Sequence, residues 1–343
     1  MNKKHILKDT IHHVDATAFD TTPIIDSMRD MSFSSRDTAR AADIFIKMLH
    51  DRGCTTALVL AGSTSAGGCM RIYSDMIRYN MIDMVVATGA SIVDMDFFEA
   101  LGFKHYKGTP FIDDGMLRKN FIDRIYDTFI NEKDLQYCDT VIREIADSLE
   151  PRPYSSREFI LEMGKWLIDR SKGKESLVRR AYEHNVPIFC PAFSDSSAGF
   201  GLVKHLHERR KSGKPSVSID SVKDFYELTQ IKMASKNSGL FMVGGGVPKN
   251  FIQDTVVCAE VLGAKVPMHK YAVQITVADV RDGACSSSTL KEASSWGKVD
   301  TTFEQMVFAE ATTVVPLIFS YAFHNTNWNN RRKREWSKIF MDM

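Results

Sequence analysis

The sequence predicts an α/β fold: one Rossmann-like parallel sheet with helices on both faces, in a single large domain with an N-terminal arm. Three observations carry this expectation. Short β-branched runs alternate with longer amphipathic stretches along most of the chain, the pattern of a parallel sheet covered by helices. Each run closes on a cluster of Gly, Ser, Thr or Asp, and in open parallel sheets ligands bind outside the carboxyl ends of the strands. The 343 residues contain no internal repeat and no low-complexity linker, so one large domain is preferred over the two that roughly 150 residues per domain would give.

In chain order, residues 1–35 are mixed and polar and read as the arm. The core is expected over residues 36–324. Its first strand is Thr56-Ala57-Leu58-Val59-Leu60-Ala61, ended by the turn-rich run from Gly62 to Gly68, with a helix following through Met70, Tyr73, Met76 and Ile77. Met84-Val85-Val86-Ala87 is a second strand, closed by Thr88-Gly89-Ala90-Ser91. The cycle recurs at Val186–Cys190, Leu240–Val243 and Tyr271–Ile275. Residues 325–343 form a polar, basic tail whose Arg331–Arg334 run reads as a solvated chain end, although with Trp328 and Trp336 it could touch a partner.

Composition excludes several classes of function. Hydrophobic residues are 44% and charged residues 25% of the chain, and 44 basic against 43 acidic side chains leave a net charge of +1. No global field therefore draws the protein to nucleic acid or an anionic membrane. None of the six cysteines sits in a Cys-x-x-Cys pair, which fits reduced thiols and not a disulfide framework or a zinc site. The first residues lack the apolar stretch of a signal peptide. The longest apolar run near the C-terminus, Val314 to Phe323, is too short for a bilayer and holds Pro316. A cytoplasmic protein is expected.

Four constellations carry candidate chemistry. Gly62 to Gly68 follows a strand and opens a helix, a geometry that offers backbone N–H groups to phosphate; it is neither a Walker A loop nor Gly-x-Gly-x-x-Gly, and a plain tight turn explains it as well. Gly244-Gly245-Gly246 after a strand suits either a turn or a ligand passing close to the main chain. With Thr88–Ser91 and Ser194–Ser197 at equivalent strand ends, these clusters suit a dinucleotide lying across one crevice. Lys298 follows Trp296-Gly297. Such a lysine is usually an exposed helix-end residue, but beside an indole that desolvates it, it can serve as a nucleophile. The indole face can also hold an organic cation. His205 and His207 lack a third ligand at matching spacing and read as surface histidines, and no metal is expected.

From about residue 36 to about 324, the motifs resemble, in order, those of the deoxyhypusine synthases and the related homospermidine synthases. The most specific piece is Glu292-Ala293-Ser294-Ser295-Trp296-Gly297-Lys298, which resembles the family's Glu-Ala-x-Ser-Trp-Gly-Lys segment with its catalytic lysine. The resemblance implies NAD as cofactor, a homotetramer with active sites at dimer interfaces, and an arm covering a neighbouring subunit's site. For the cofactor it implies Thr64, Ser65, Thr88, Asp94, Asp195, Gly244, Gly245, Gly246, Ala278, Asp282, Ser286, Ala309 and Glu310. For the polyamine it implies Glu292 and Trp296, while Phe200, Asn250 and Cys285 stand where the family has aspartate, histidine and aspartate. Two carboxylates that should face ammonium groups are thus replaced, and a buried ammonium without a partner costs several kcal/mol.

The activity implied is NAD-dependent transfer of the 4-aminobutyl group of a polyamine such as spermidine. Lys298 would capture the fragment as a Schiff base. The acceptor would be a protein lysine, as in deoxyhypusine synthesis, or putrescine, as in homospermidine synthesis; the altered pocket favours a small amine or a divergent member. The alternative is a catalytically silent NAD-binding paralogue serving as a regulatory or structural subunit.

Overall fold

The computed structural model describes residues 3–173, 175–283 and 288–340. Its centre is a six-stranded sheet built from β1 (Cys54–Leu60), β2 (Met84–Ala87), β3 (Ile188–Phe189), β4 (Asn237–Val243), β5 (His269–Thr276) and β6 (Val299–Phe308). The strands lie in the order β3-β2-β1-β4-β5-β6 and every neighbouring pair is parallel. This is the doubly wound order, with the reversal of direction falling between β1 and β4.

Alternation along the strands explains why both faces are covered. Successive side chains of a strand point to opposite faces. Leu58, Leu60, Val85, Phe241, Val243 and Val273 enter one core cluster, whereas Ala57, Val59, Met84, Val86, Leu240, Met242 and Ala272 enter another. The first face is packed by helices that include α1 (Phe33–His50), α2 (Met70–Arg78) and, far along the chain, Ala311–Asn325. The second is packed by Ser221–Ala234, α3 (Gly246–Gln253) and α4 (Leu290–Ser295). Strands buried on two sides read as continuous apolar runs, which is why the five expected strands are found, Met84–Ala87 with the expected ends and the other four with shifted ones. The sixth, β6, carries Asp300, Thr301, Thr302, Glu304 and Gln305 because it is an edge strand, so it has no such run.

An antiparallel sheet of His105–Lys107, Ile122–Ile125 and Thr128–Asn131 is inserted after the second strand-helix unit. The N-terminal segment packs on its own chain: Ile11 N donates to His105 O (2.9 Å) and Val14 N to Gly68 O (3.0 Å). His13 and His105 both bond the Glu99 carboxylate, at 2.5 and 2.6 Å.

Two expectations are corrected here. The basic tail is not simply solvated. Arg331 is paired with the buried Asp83 and donates to Asn80 O (3.0 Å), and Arg334 donates to Cys54 O (3.1 Å). The carboxylate of Asp83, left at the amino end of the sheet, needs a cation, and the tail supplies it. His205 is not a surface residue either: it is buried, with Nδ1 2.8 Å from Asp147 and Nε2 accepting from Val217 N at 3.0 Å. Among the described residues no helix is long and apolar enough to cross a membrane.

Candidate functional site

The glycine-rich and hydroxyl-rich segments meet at the carboxyl edge of the sheet. After β1 the chain turns at Gly62 (φ 79°) and winds through a wide helical turn, Ser65–Cys69, with Gly68 at φ 107°. Ser91 Oγ, from the loop after β2, donates to Gly62 O at 3.0 Å, and its backbone N donates to Thr88 Oγ1 at 3.4 Å. A Cβ on Gly89 would fall 2.6 Å from Ser196 Oγ, so the loops after β2 and β3 touch. Gly244 (φ 81°) and Gly246 (φ 65°) follow β4 in conformations that side chains disfavour. At Gly62 and Gly246 an added Cβ would meet nothing within 4 Å, so their backbone faces open space. Thr64 and Glu310 line one cavity of about 200 Å³ with Gly67, Asp127 and Thr128, and its lining includes no lysine or arginine.

The acids there differ in their commitments. Asp94 accepts from Ser197 N at 2.7 Å, and burial pushes its carboxyl up to about 6. Asp195 is exposed. Glu310 caps the helix Ala311–Asn325, accepting from Thr312 N (3.0 Å) and Thr313 N (3.1 Å). Thr64 Oγ1 lies 2.7 Å from Tyr73 Oη, and the buried Ser65 hydroxyl points at Met95 Sδ. Ala278 and Asp282 are in the loop after β5, and Ala309 follows β6. Ser286 and Cys285 lie outside the described residues.

A second constellation is built around Lys298, the residue immediately before β6. Its Nζ lies 2.5 Å from Asp254 Oδ1 and 5.2 Å from the centre of the Trp296 ring. The Lys298 side chain is 12% exposed, while Trp296 is 67% exposed. Glu292 is at the third position of α4 and closes a reciprocal capping box with Thr289: Thr289 N donates to Glu292 Oε2 at 2.6 Å and Glu292 N to Thr289 Oγ1 at 3.1 Å. Asn250 sits half-buried in α3, and Phe200 is exposed on the helix Ser197–Lys211.

The two constellations are joined by α3, which starts at Gly246 and ends against the Lys298 side chain at Asp254, while their backbones lie at opposite edges of the sheet. Lys298 O accepts from His269 N, the first residue of β5, so Lys298 marks the amino edge of the sheet. The seven residues of β4 at about 3.3 Å each separate that edge from Gly244 by roughly 20 Å.

Comparison with known proteins gives the family. The family model for deoxyhypusine synthase matches residues 23–322. A Caulobacter vibrioides relative, described as a deoxyhypusine synthase-like protein, is 68% identical over 98% of this chain and 92% of its own. A Coxiella burnetii relative with the same description is 63% identical over 98% of this chain and 96% of its own. The chain belongs to the deoxyhypusine synthase family. Its fold agrees with that of a solved Entamoeba histolytica chain assigned to those synthases (TM-score 0.58, 17% identity, covering 95% of this chain and 99% of the other).

Deoxyhypusine synthase relatives are generally transferases with a polyamine context, and two residues overlooked in the sequence bear on that chemistry. Lys249, in α3, has a fully buried side chain that donates to Ser288 O. Burial pulls its ammonium down to about 8; nearby Glu292 opposes the shift and Lys298 adds to it. Its signal was present, a lysine set between Val247-Pro248 and Phe251-Ile252 three positions past the triple glycine. Asp254 had no comparable signal, because only folding brings it to Lys298.

Proposed function

We propose that the protein is an NAD-dependent transferase moving the 4-aminobutyl group of a polyamine such as spermidine to an acceptor amine through a Schiff base on Lys298. The observation that carries this is the enclosed Lys298 ammonium, flanked by the Trp296 indole and a carboxylate. A largely covered amine beside an aromatic face is suited to imine chemistry, where the nucleophile must shed its proton and water must be kept away.

The strand tips fit a dinucleotide. Open backbone at Gly62 and Gly246 offers amide donors to a pyrophosphate. Asp94, Asp195 and Glu310 would accept from ribose hydroxyls, with Thr64, Ser65, Thr88, Gly245, Ala278, Asp282 and Ala309 from the same strand ends completing the set. When bound, NAD supplies a reversible oxidation of the carbon beside a secondary amine. The chain's own part is positioning and proton handling. Trp296 shields the reacting carbon and faces the amine's charge. Lys298, once neutral, displaces the smaller diamine from the oxidised carbon and holds the four-carbon fragment until an acceptor amine displaces it in turn. Each complete site would combine two copies, in keeping with the cytoplasmic homotetramer with sites at dimer interfaces that the family resemblance implies.

The test is borohydride trapping with NAD and spermidine. Protein should gain one aminobutyl adduct, located on Lys298, and Lys298→Ala should gain none. Equal uptake by the variant removes the assignment. Release of 1,3-diaminopropane without net NADH accumulation separates the transferase from an ordinary dehydrogenase. No release with any acceptor leaves the silent NAD-binding subunit, the reading that the carboxylates replaced by Phe200 and Cys285 favour.

A further inference from the structure

We propose that Asp254 is the ammonium anchor of the Lys298 site: it holds the lysine's ammonium at rest, and an incoming di- or polyamine takes over its carboxylate, freeing Lys298 to lose its proton. The inference rests on the amine-transfer reading and assigns the carboxylate that this chain offers in place of those lost at Phe200 and Cys285.

Asp254 lies where α3 ends and the helix Thr255–Val261 begins. Aspartate at a helix start normally turns its carboxylate onto the helix's own N–H groups from an extended backbone. Here the backbone is helical (φ −70°, ψ −9°) and the side chain makes no capping bond. It points away to Lys298 Nζ at 2.5 Å. Local capping is therefore forgone for a contact with a residue far along the chain.

Exposure gives the order of events. The Asp254 side chain is 40% exposed against 12% for Lys298, and Trp296 beside them is 67% exposed. On this chain's side of the site, an incoming cation meets the indole face and the carboxylate before it meets the lysine. Two charged groups close by are already engaged: Lys249 donates to Ser288 O, and Glu292 is tied to Thr289. Asp254 is thus the carboxylate positioned to exchange one ammonium for another. When it does, Lys298 loses its countercharge and gains a like charge nearby, and both changes favour the neutral amine. The proton leaves to water, and bond formation to carbon follows only from the neutral amine. The substrate so selected carries at least two ammonium groups, one to occupy Asp254 and one amine to react.

The experiment needs neither NAD nor turnover. Full-length protein is acetylated with limiting N-acetoxysuccinimide at about pH 8, and modification of Lys298 is followed by peptide mass spectrometry, with exposed Lys265 as internal reference. The probe is N,N,N′,N′-tetramethyl-1,4-butanediamine, a dication that the reagent does not acylate. It should accelerate Lys298 acetylation in the wild type by roughly five-fold or more. Asp254→Asn should show the faster rate without probe and no further response, and Asp254→Glu should restore the response. A probe that leaves Lys298 unchanged or protects it, or an Asp254→Asn variant with the wild-type rate, overturns the proposal. Trapped adduct with no such response removes the anchor alone; the response without adduct removes the transferase alone.

Discussion

Lys249 places an ammonium where no side-chain surface reaches solvent, and its consequence is a pH dependence of stability. Its folded value of about 8 lies below the ordinary 10.5, so between those values the unfolded chain holds a proton that the folded one lacks. Stability contributed at this position therefore rises with pH across that window. Urea unfolding of Lys249→Met against the wild type should show the variant's relative stability falling by on the order of 3 kcal/mol from about pH 8 to about pH 10.5; a pH-independent difference would refute the burial argument. Asp94 has the opposite sign. With its carboxyl raised to about 6 from 3.8, the folded chain holds a proton that the unfolded one has lost, and stability falls as pH rises through that interval. Asp94→Asn should gain on the wild type by on the order of 3 kcal/mol between about pH 4 and pH 7, while weakening NAD binding measured by calorimetry. A variant less stable at pH 7 than at pH 4, relative to wild type, would contradict this.

At the scale of elements, the C-terminal tail acts as a strap across the amino ends of the sheet. Arg331 Nη1 donates to Asp83 Oδ1 at 2.9 Å, and Asp83 Oδ2 accepts from Thr56 N at 2.7 Å. Both side chains are almost wholly buried. Removing one partner leaves a buried charge uncompensated, so Arg331→Gln should cost about 3–5 kcal/mol in urea unfolding. The double variant with Asp83→Asn should lose less than the sum of the single losses; simple additivity would show that the pair does not couple. In sequence the Arg331–Arg334 run looked like an ordinary charged end, because its partner lies some 250 residues earlier. The β6 strand was missed for the complementary reason: an edge strand may keep polar residues on its open side, and its pattern carries no buried run. By contrast β1, β2 and β4 were legible from runs of Val, Leu, Ala, Phe and Met, which only a strand covered on two faces requires.

For the whole molecule, the proposed function assigns each complete site to two copies, the glycine tips of one and Lys298 of the other. Co-expression of Lys298→Ala with a Gly246→Asp chain should recover borohydride-trapped adduct on the chain that keeps Lys298, although each variant alone gives none. Gly246 has φ 65°, so the aspartate adds strain as well as charge at the proposed dinucleotide edge. Failure of the mixture, with both chains shown to assemble, would mean that one chain closes its own site.

The sequence by itself determined the sheet's apolar strands, the glycine-rich tips and the Trp296–Lys298 segment, because each is a local pattern: periodicity, backbone conformations that glycine adopts freely, and a contiguous motif. Tertiary structure alone decided which charges pair. Asp254 with Lys298, Arg331 with Asp83 and His13 with Glu99 are contacts between residues far apart in the chain, and a carboxylate's partner is chosen by where the backbone carries it, not by its neighbours in sequence.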